Sequence, residues 1–159
     1  MTYHKSNKLH IVAVAAVIRD ADGRYLVVKR SEREIAFPGK WAFPGGKVEG
    51  DQTIEQALTD EVREEVGLSL RPGKILLKES VFVRPDDQTV KVFSYLCMAE
   101  PGEVELDQHD FSEYRWVTVT ELNELDHVGI AEEVAQAERV AVQPAAVQVV
   151  FQSISESDG

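Results

Sequence analysis

Three glutamates, Glu61, Glu64 and Glu65, lie close together in the chain, and their carboxylates are the groups in this stretch that could perform chemistry. At about 100° per residue along a helix, Glu61 and Glu65 fall at about −20° and 20° from Ile54, on the side that Leu58 also occupies. Two carboxylates on a partly covered face repel each other and lose hydration unless a positive group joins them. The spacing therefore favours a cation site over the solvated charged face that most glutamate-rich helices present.

The ligand type indicates which cation. Oxygen ligands alone suit Mg²⁺, or alternatively Mn²⁺, and Mg²⁺ held by a few carboxylates keeps coordination positions for water and phosphate groups. The loop before the glutamates contains Gly45 and Gly46, and glycine leaves room for a ligand to approach the main chain. We expect these two backbone positions to contact a substrate.

The glutamates need a helix to position them. Thr53, with Gln56 three residues later, has the spacing of a capping box, and Gly67 suits a left-handed helix end. Apolar residues recur between these limits at helical spacing, namely Ile54, Ala57, Leu58 and Val62. The pattern predicts one amphipathic helix from Thr53 to Gly67.

Residues 46–68 resemble the signature of the Nudix hydrolases: a glycine, five residues, a Glu, seven residues, then R-E-U-x-E-E-x-G-U, where U is aliphatic. Gly46 takes the first position, and the last part is in register through Glu61, Val62, Glu64, Glu65, Gly67 and Leu68. The resemblance implies an α/β (α+β) fold, an α/β/α sandwich around a mixed sheet. It also implies Mg²⁺-dependent hydrolysis of a nucleoside diphosphate linked to another group, with Glu61, Glu64 and Glu65 as metal ligands and Glu64 or Glu65 acting in catalysis.

Two positions depart from that signature. Its first Glu is Gln52 here, and its Arg is Asp60. In the family these residues are expected to support the metal-binding glutamates by charge pairing. A Gln amide can donate a hydrogen bond to an Asp carboxylate, so the two changes can compensate each other. We expect any loss to affect turnover more than metal binding.

Cations near the loop are candidates for binding the substrate. Arg30, Arg33 and Lys40 occupy a charged segment that Pro38-Gly39 interrupts, and each is either a phosphate or base contact or an ordinary loop charge. Lys47 directly follows the glycines and could face a phosphate. A Glu is common in the family at the position of Glu49, so the resemblance adds it to the site.

A late acidic loop supplies further candidates. Glu113, placed just before a strand predicted over residues 114–117, resembles the loop glutamate that serves many Nudix enzymes as an extra metal ligand or base. His109 is an alternative base because a histidine titrates near neutral pH.

The resemblance narrows the substrate to a class. The run K-R-x₇-P-G-K-W-A-F-P-G-G-K-V-E is similar to the entry region of MutT-like members that act on (d)NTPs, including oxidised ones. Hydrolases of ADP-ribose or nucleotide sugars have related signatures and remain an alternative. A nucleotide-sensing domain weakened at Gln52 and Asp60 is an alternative of another class.

Length and composition also limit the domain count, the partners and the cellular location that can be expected. At 159 residues the chain is expected to form one domain, after a loose leader at residues 1–8. The net charge of −11 argues against a nucleic-acid polymer as partner. Cys97 is the single cysteine, which excludes an internal disulfide and suits a buried thiol in the cytoplasm. No segment is long and apolar enough to cross a membrane.

The remaining pattern predicts strands and two helices. Residues 9–18 and 24–29 read as a hairpin, and residues 75–84 and 89–99 as a second antiparallel pair. Helices are predicted over residues 120–125 and 130–142. Residues 145–154 are apolar and could be a helix or a strand, and an uncovered patch there would favour a homodimer.

Overall fold

The computed structural model describes residues 9–141. In chain order its elements are β1 (Ile11–Ile18), β2 (Tyr25–Arg30), β3 (Trp41–Ala42), β4 (Gly45–Lys47), α1 (Ile54–Val66), β5 (Ile75–Val83), β6 (Thr89–Cys97), β7 (Phe111–Val117), α2 (Val119–Glu124) and α3 (Ala131–Ala141). None of the helices described is long and apolar enough to cross a membrane.

The strands form two sheets. One has the order β4-β1-β6-β5, in which β1 runs parallel to β6 and antiparallel to β4. The other has the order β3-β2-β7 and is antiparallel throughout. The predicted antiparallel pair is confirmed as β5 and β6. The structure is therefore a mixed α+β arrangement, as the resemblance implies.

Two hydrophobic cores cover the opposite faces of β1 and β2. Leu26 and Val28 of β2 pack in the core that α1 covers, whereas Tyr25 and Val27 pack in the core that α2 and α3 cover. This alternation is the two-residue period of a strand buried on both faces. The strands thus lie between helices, which confirms the expected sandwich.

Helix α1 begins and ends where the sequence predicts. The Thr53 side chain accepts from the Gln56 N–H while the Gln56 side chain accepts from the Thr53 N–H, and Gly67 ends the helix with φ 70°. Ala57, Leu58 and Val62 are buried. Burial of this apolar stripe fixes the rotation of α1 about its axis and so the direction of its glutamates.

Two predicted details are wrong. The hairpin of β1 and β2 is reduced to one bridge, Arg19 to Tyr25, because β2 pairs instead with β3 and β7. The strand predicted over residues 114–117 begins at Phe111, since β2 continues to Arg30 and pairs with Phe111 across a bulge. The predictions for residues 1–8 and 145–154, and with them the patch behind the homodimer, lie outside the described residues.

The end of α1 can be tested by substitution. Gly67→Ala should lower the free energy of unfolding by about 1–2 kcal/mol, because a Cβ there meets both a left-handed backbone and the Cβ of Glu105. Gly102→Ala is the matched control, since its Cβ would make only an ordinary contact with Leu68. Urea denaturation measures both, and equal stabilities would contradict this account of the helix end.

Candidate active site

Glu65 is the anchor of the site. Its side chain projects from α1 and is 8% exposed, and its carboxylate accepts a hydrogen bond of 2.9 Å from the Gly45 N–H. Gly45 lies on β4, where an added Cβ would run into the Val14 carbonyl oxygen of β1. Only glycine therefore allows β4 to approach β1 this closely, and that approach delivers the N–H to Glu65.

Glu61 lies beside Glu65, one turn earlier on α1. A Cβ at Gly46 would overlap the Glu61 carboxylate, so this second glycine makes the space that Glu61 fills. Burial and the charge of Glu64 raise the pKa of Glu61 to about 7, and the Glu65 carboxyl is close enough to form a hydrogen bond with it. Burial raises the pKa of Glu65 to about 9, in spite of the hydrogen bond from Gly45.

The pair fits a divalent cation. Two neighbouring carboxyl groups with raised pKa values retain a proton at a position that a cation could occupy instead. All the atoms that would bind the cation are oxygens. Glu64 is exposed, and its charge and that of Glu49 reach Glu61. Within residues 9–141, no three His, Cys, Asp or Glu side chains converge as a ready cluster. Glu61 and Glu65 would therefore hold the ion together, and Glu64 would have to turn toward it.

The two departures from the signature contact each other. The Gln52 amide donates a hydrogen bond of 2.9 Å to the Asp60 carboxylate, as the residue types suggest. The Gln52 carbonyl oxygen also accepts from the Glu49 N–H at 2.9 Å. Gln52 thus ties the loop of Glu49 to α1 one residue before Glu61, without a cation.

The predicted substrate-binding cations lie in different parts of the structure. Arg30 borders the space next to Glu65, but its guanidinium donates to the Ala36 carbonyl at 2.9 Å and contacts Glu34 at 3.3 Å. Lys47 lines the same space and is exposed.

Two other predicted cations, Lys40 and Arg33, do not line the space next to Glu65. Lys40 lies 3.6 Å from Asp126, and Arg33 donates to the backbone of His109 at 3.4 Å. His109, the alternative base, is exposed and bonds to Asp110.

Among the late acidic residues, Asp110 lines the space beside the Glu65 side chain. Its charge contributes to the raised pKa of Glu65. Glu113 instead lies on β7, where its carboxylate is 3.4 Å from Arg115, and the Arg115 guanidinium lies over the Trp41 ring. Asp110 was missed as a site residue from the sequence, although its place in the acidic loop before the strand was the available signal.

A mostly apolar cavity of about 240 Å³ adjoins this space. Arg30, Gly45 and Gly46 line both. Aromatic walls come from Phe37 and Phe82, whose rings meet edge to face at 5.4 Å. Such a cavity beside a carboxylate pair can accept a flat, apolar-faced group whose charged end reaches the carboxylates.

Known proteins resemble the chain in sequence and in structure. The family model of the NUDIX domain matches residues 9–137. The nucleoside triphosphatase NudI of Escherichia coli O139:H28 (strain E24377A / ETEC) is 33% identical over 118 residues, which cover 66% of this chain and 80% of that protein.

Solved structures have the same fold. The MutT protein of Methanosarcina mazei Go1 superposes with a TM-score of 0.71 at 27% identity, covering 88% of this chain and 99% of that one. The NUDIX domain of Shewanella oneidensis NrtR, crystallised with ADP ribose, has a TM-score of 0.69 at 19% identity, covering 84% and 90%, and supports the fold alone. The chain belongs to the NUDIX family and is a hydrolase of phosphorus-containing anhydrides.

Proposed function

We propose that this protein is a Mg²⁺-dependent pyrophosphohydrolase of nucleoside triphosphates, of the MutT type. The observation that carries the proposal is the Glu61 and Glu65 pair, held against Gly45 and Gly46, which also line an apolar cavity. The pair suits the metal and phosphate end of a nucleotide, and the cavity suits its base.

Each residue has a proposed part. Glu61, Glu64 and Glu65 hold the metal, with Mn²⁺ as an alternative to Mg²⁺, and Gly45 and Gly46 keep the backbone close to the phosphates. The bound cation would neutralise phosphoryl oxygens and make water acidic enough to react near neutral pH. Glu65 or Glu113 would accept the proton of the attacking water, and Asp110 joins them as a candidate because its charge reaches Glu65.

The relatives support this substrate class. NudI is named a nucleoside triphosphatase, and MutT is a fold neighbour at 27% identity. ADP-ribose and nucleotide sugars are the alternative substrates, and the NrtR domain with ADP ribose has the same fold. We also propose a cytoplasmic location, because Cys97 is the single cysteine and can form no internal disulfide. A homodimer remains a proposal.

The first test is turnover of a substrate panel with and without Mg²⁺. The panel contains (d)NTPs, 8-oxo-dGTP, ADP-ribose and nucleotide sugars, and pyrophosphate and phosphate release are measured. Wild-type protein should cleave a nucleoside triphosphate only with the metal. Glu64→Gln and Glu65→Gln should each lower turnover at least about 100-fold, because they remove an ionised metal ligand or base.

The matched control is Glu55→Gln, an exposed change on the same helix that should leave turnover unchanged. Full activity in both Glu64→Gln and Glu65→Gln would contradict the metal assignment. Faster cleavage of ADP-ribose than of every triphosphate would show that nucleoside triphosphates are not the preferred substrate class. Nucleotide binding without any cleavage would favour the sensing domain.

The contact between Gln52 and Asp60 separates a rewired site from a degraded one. Gln52→Ala should lower metal affinity or activity by roughly 10- to 100-fold, because the Glu49 loop loses its tie to α1. Restoring the usual family residues with Gln52→Glu and Asp60→Arg together should leave kcat/KM unchanged or lower. A large gain in kcat/KM from the double change would instead indicate a degraded site.

The raised pKa values predict how stability depends on pH. Without metal, folded Glu61 and Glu65 keep their protons to about pH 7 and 9, whereas in the unfolded chain they ionise near their ordinary 4.5. The folded state then binds more protons, so the stability of metal-free protein should fall as pH rises from 6 to 9. Thermal unfolding of Glu65→Gln should show a flatter decline than Glu55→Gln, and equal slopes would contradict the burial of a protonated Glu65.

A further inference from the structure

A cleft of about 280 Å³, which we call the Arg71 cleft, is separate from the proposed active site. It forms where the end of β1 and the last part of β7 meet the segments that follow α1 and β6. Within residues 9–141, it shares no lining residue with the apolar cavity or with the space next to Glu65. A ligand in this cleft would therefore leave the carboxylate pair accessible.

Apolar side chains make up much of the lining. Ile18 and Leu68 are buried, and Met98 and Trp116 are partly buried. The volume equals that of roughly nine liquid water molecules at ~30 Å³ each, which is enough for a ring system. An indole face and a thioether both make favourable contacts with a flat ring.

A short backbone pairing joins the two segments that follow α1 and β6. The Arg71 N–H donates to the Met98 carbonyl at 2.8 Å. The Glu100 N–H donates to the Ser69 carbonyl, also at 2.8 Å. These walls are fixed before a ligand arrives, so binding would require little further ordering of the chain.

Two of the four charged side chains that line the cleft already have partners. The Arg19 Nε lies 3.5 Å from the Glu138 carboxylate of α3. The Asp20 carboxylate accepts a hydrogen bond of 3.0 Å from the Arg24 side chain, and it also accepts from two backbone N–H groups. Arg71 and Glu100 are the two charged groups that remain for a ligand.

Arg71 and Glu100 bind each other only weakly. The Arg71 Nε is 3.5 Å from the Glu100 carboxylate, and the side chains are 43% and 52% exposed. An ion pair this exposed contributes little to stability, so a ligand can replace one partner. A guanidinium donates two parallel hydrogen bonds to a carboxylate or phosphate and also stacks on flat rings. Glu100 begins an exposed run through Gly102, where its carboxylate stays hydrated.

We propose that the Arg71 cleft is a second ligand site, which binds a small organic anion with a flat apolar body. Arg71 would hold the carboxylate or phosphate of this ligand, and its ring would lie against Leu68, Met98 and Trp116. The inference is independent of the proposed function, because it involves neither the metal site nor the cavity beside it.

The test uses the two tryptophans of the chain as reporters. Trp116 lines the cleft and Trp41 does not. The indole N–H resonances of isotope-labelled, metal-free, full-length protein are followed by NMR, with Trp116→Phe to assign them, while naphthoate is added. The Trp116 resonance should shift in a saturable way, and the Trp41 resonance should shift much less.

Probes with the same ring separate the part played by charge. Neutral naphthalenemethanol and cationic naphthylmethylamine should each bind at least about 10-fold more weakly than naphthoate, because neither accepts the parallel hydrogen bonds of a guanidinium. Naphthyl phosphate tests the other anionic group. Whichever anion binds more tightly identifies the charged group of the ligand, and either result supports the proposal.

Two substitutions should act in opposite directions. Arg71→Ala should weaken naphthoate binding about 10- to 100-fold, because charge-assisted hydrogen bonds are lost. Glu100→Gln should strengthen it by up to about 5-fold, because the competing carboxylate is removed. Arg139→Ala is the matched control, since it removes an exposed arginine of α3 that bonds Gln136, and it should keep the wild-type affinity.

Several results would overturn the proposal. One is a Trp116 resonance that neither anion shifts. Another is tighter binding of the amine than of naphthoate, which would make the cleft a cation site. Equal losses of affinity in Arg71→Ala and Arg139→Ala would show that Arg71 makes no specific contact. Because no measurement requires metal or turnover, failure of the hydrolase assay would not affect this inference.

Discussion

The hydrogen bond from the Gly45 N–H to the buried Glu65 carboxylate is the constraint on which the site depends. It requires β4 to lie against β1 so closely that no side chain fits at Gly45, and it requires α1 to present Glu65 inward. Once both conditions hold, Glu61 is forced into the space at Gly46. Two carboxyl groups then share a poorly hydrated position, which raises both pKa values and makes a divalent cation a natural replacement for their proton.

This chain lacks one cation that the family signature places beside the pair. The signature of the family places an Arg beside the glutamates, whereas this chain has Asp60, and it carries a net charge of −11. The Gln52 side-chain amide joins the loop to α1 instead, since it donates a hydrogen bond to the Asp60 carboxylate and accepts one from the Glu49 N–H. A neutral amide orients the loop but does not neutralise the surrounding negative charge. A bound metal ion would have to supply the positive charge.

The cavity follows from the way the strands are shared between two cores. Because β1 and β2 are buried on both faces, the mixed sheet and helix α3 enclose an apolar space beside the glycine loop. The space next to Glu65 shares Gly45 and Gly46 with this cavity, and Glu133 is among the residues that line the cavity. An apolar cavity beside a carboxylate is suited to a nucleotide, because the cavity can enclose the base while a metal held by the carboxylates would neutralise the phosphates.

Local interactions let the sequence alone determine α1, from the capping box at Thr53 to the turn at Gly67, and with it the side on which Glu61 and Glu65 lie. Helix periodicity and caps involve residues a few positions apart, so they can be read directly. The pairing of β2 with β7, the approach of Asp110 to Glu65, and the burial of Glu133 at the cavity were decided by tertiary structure. Each joins segments far apart in the chain, and no spacing in a single sequence encodes which distant segments meet.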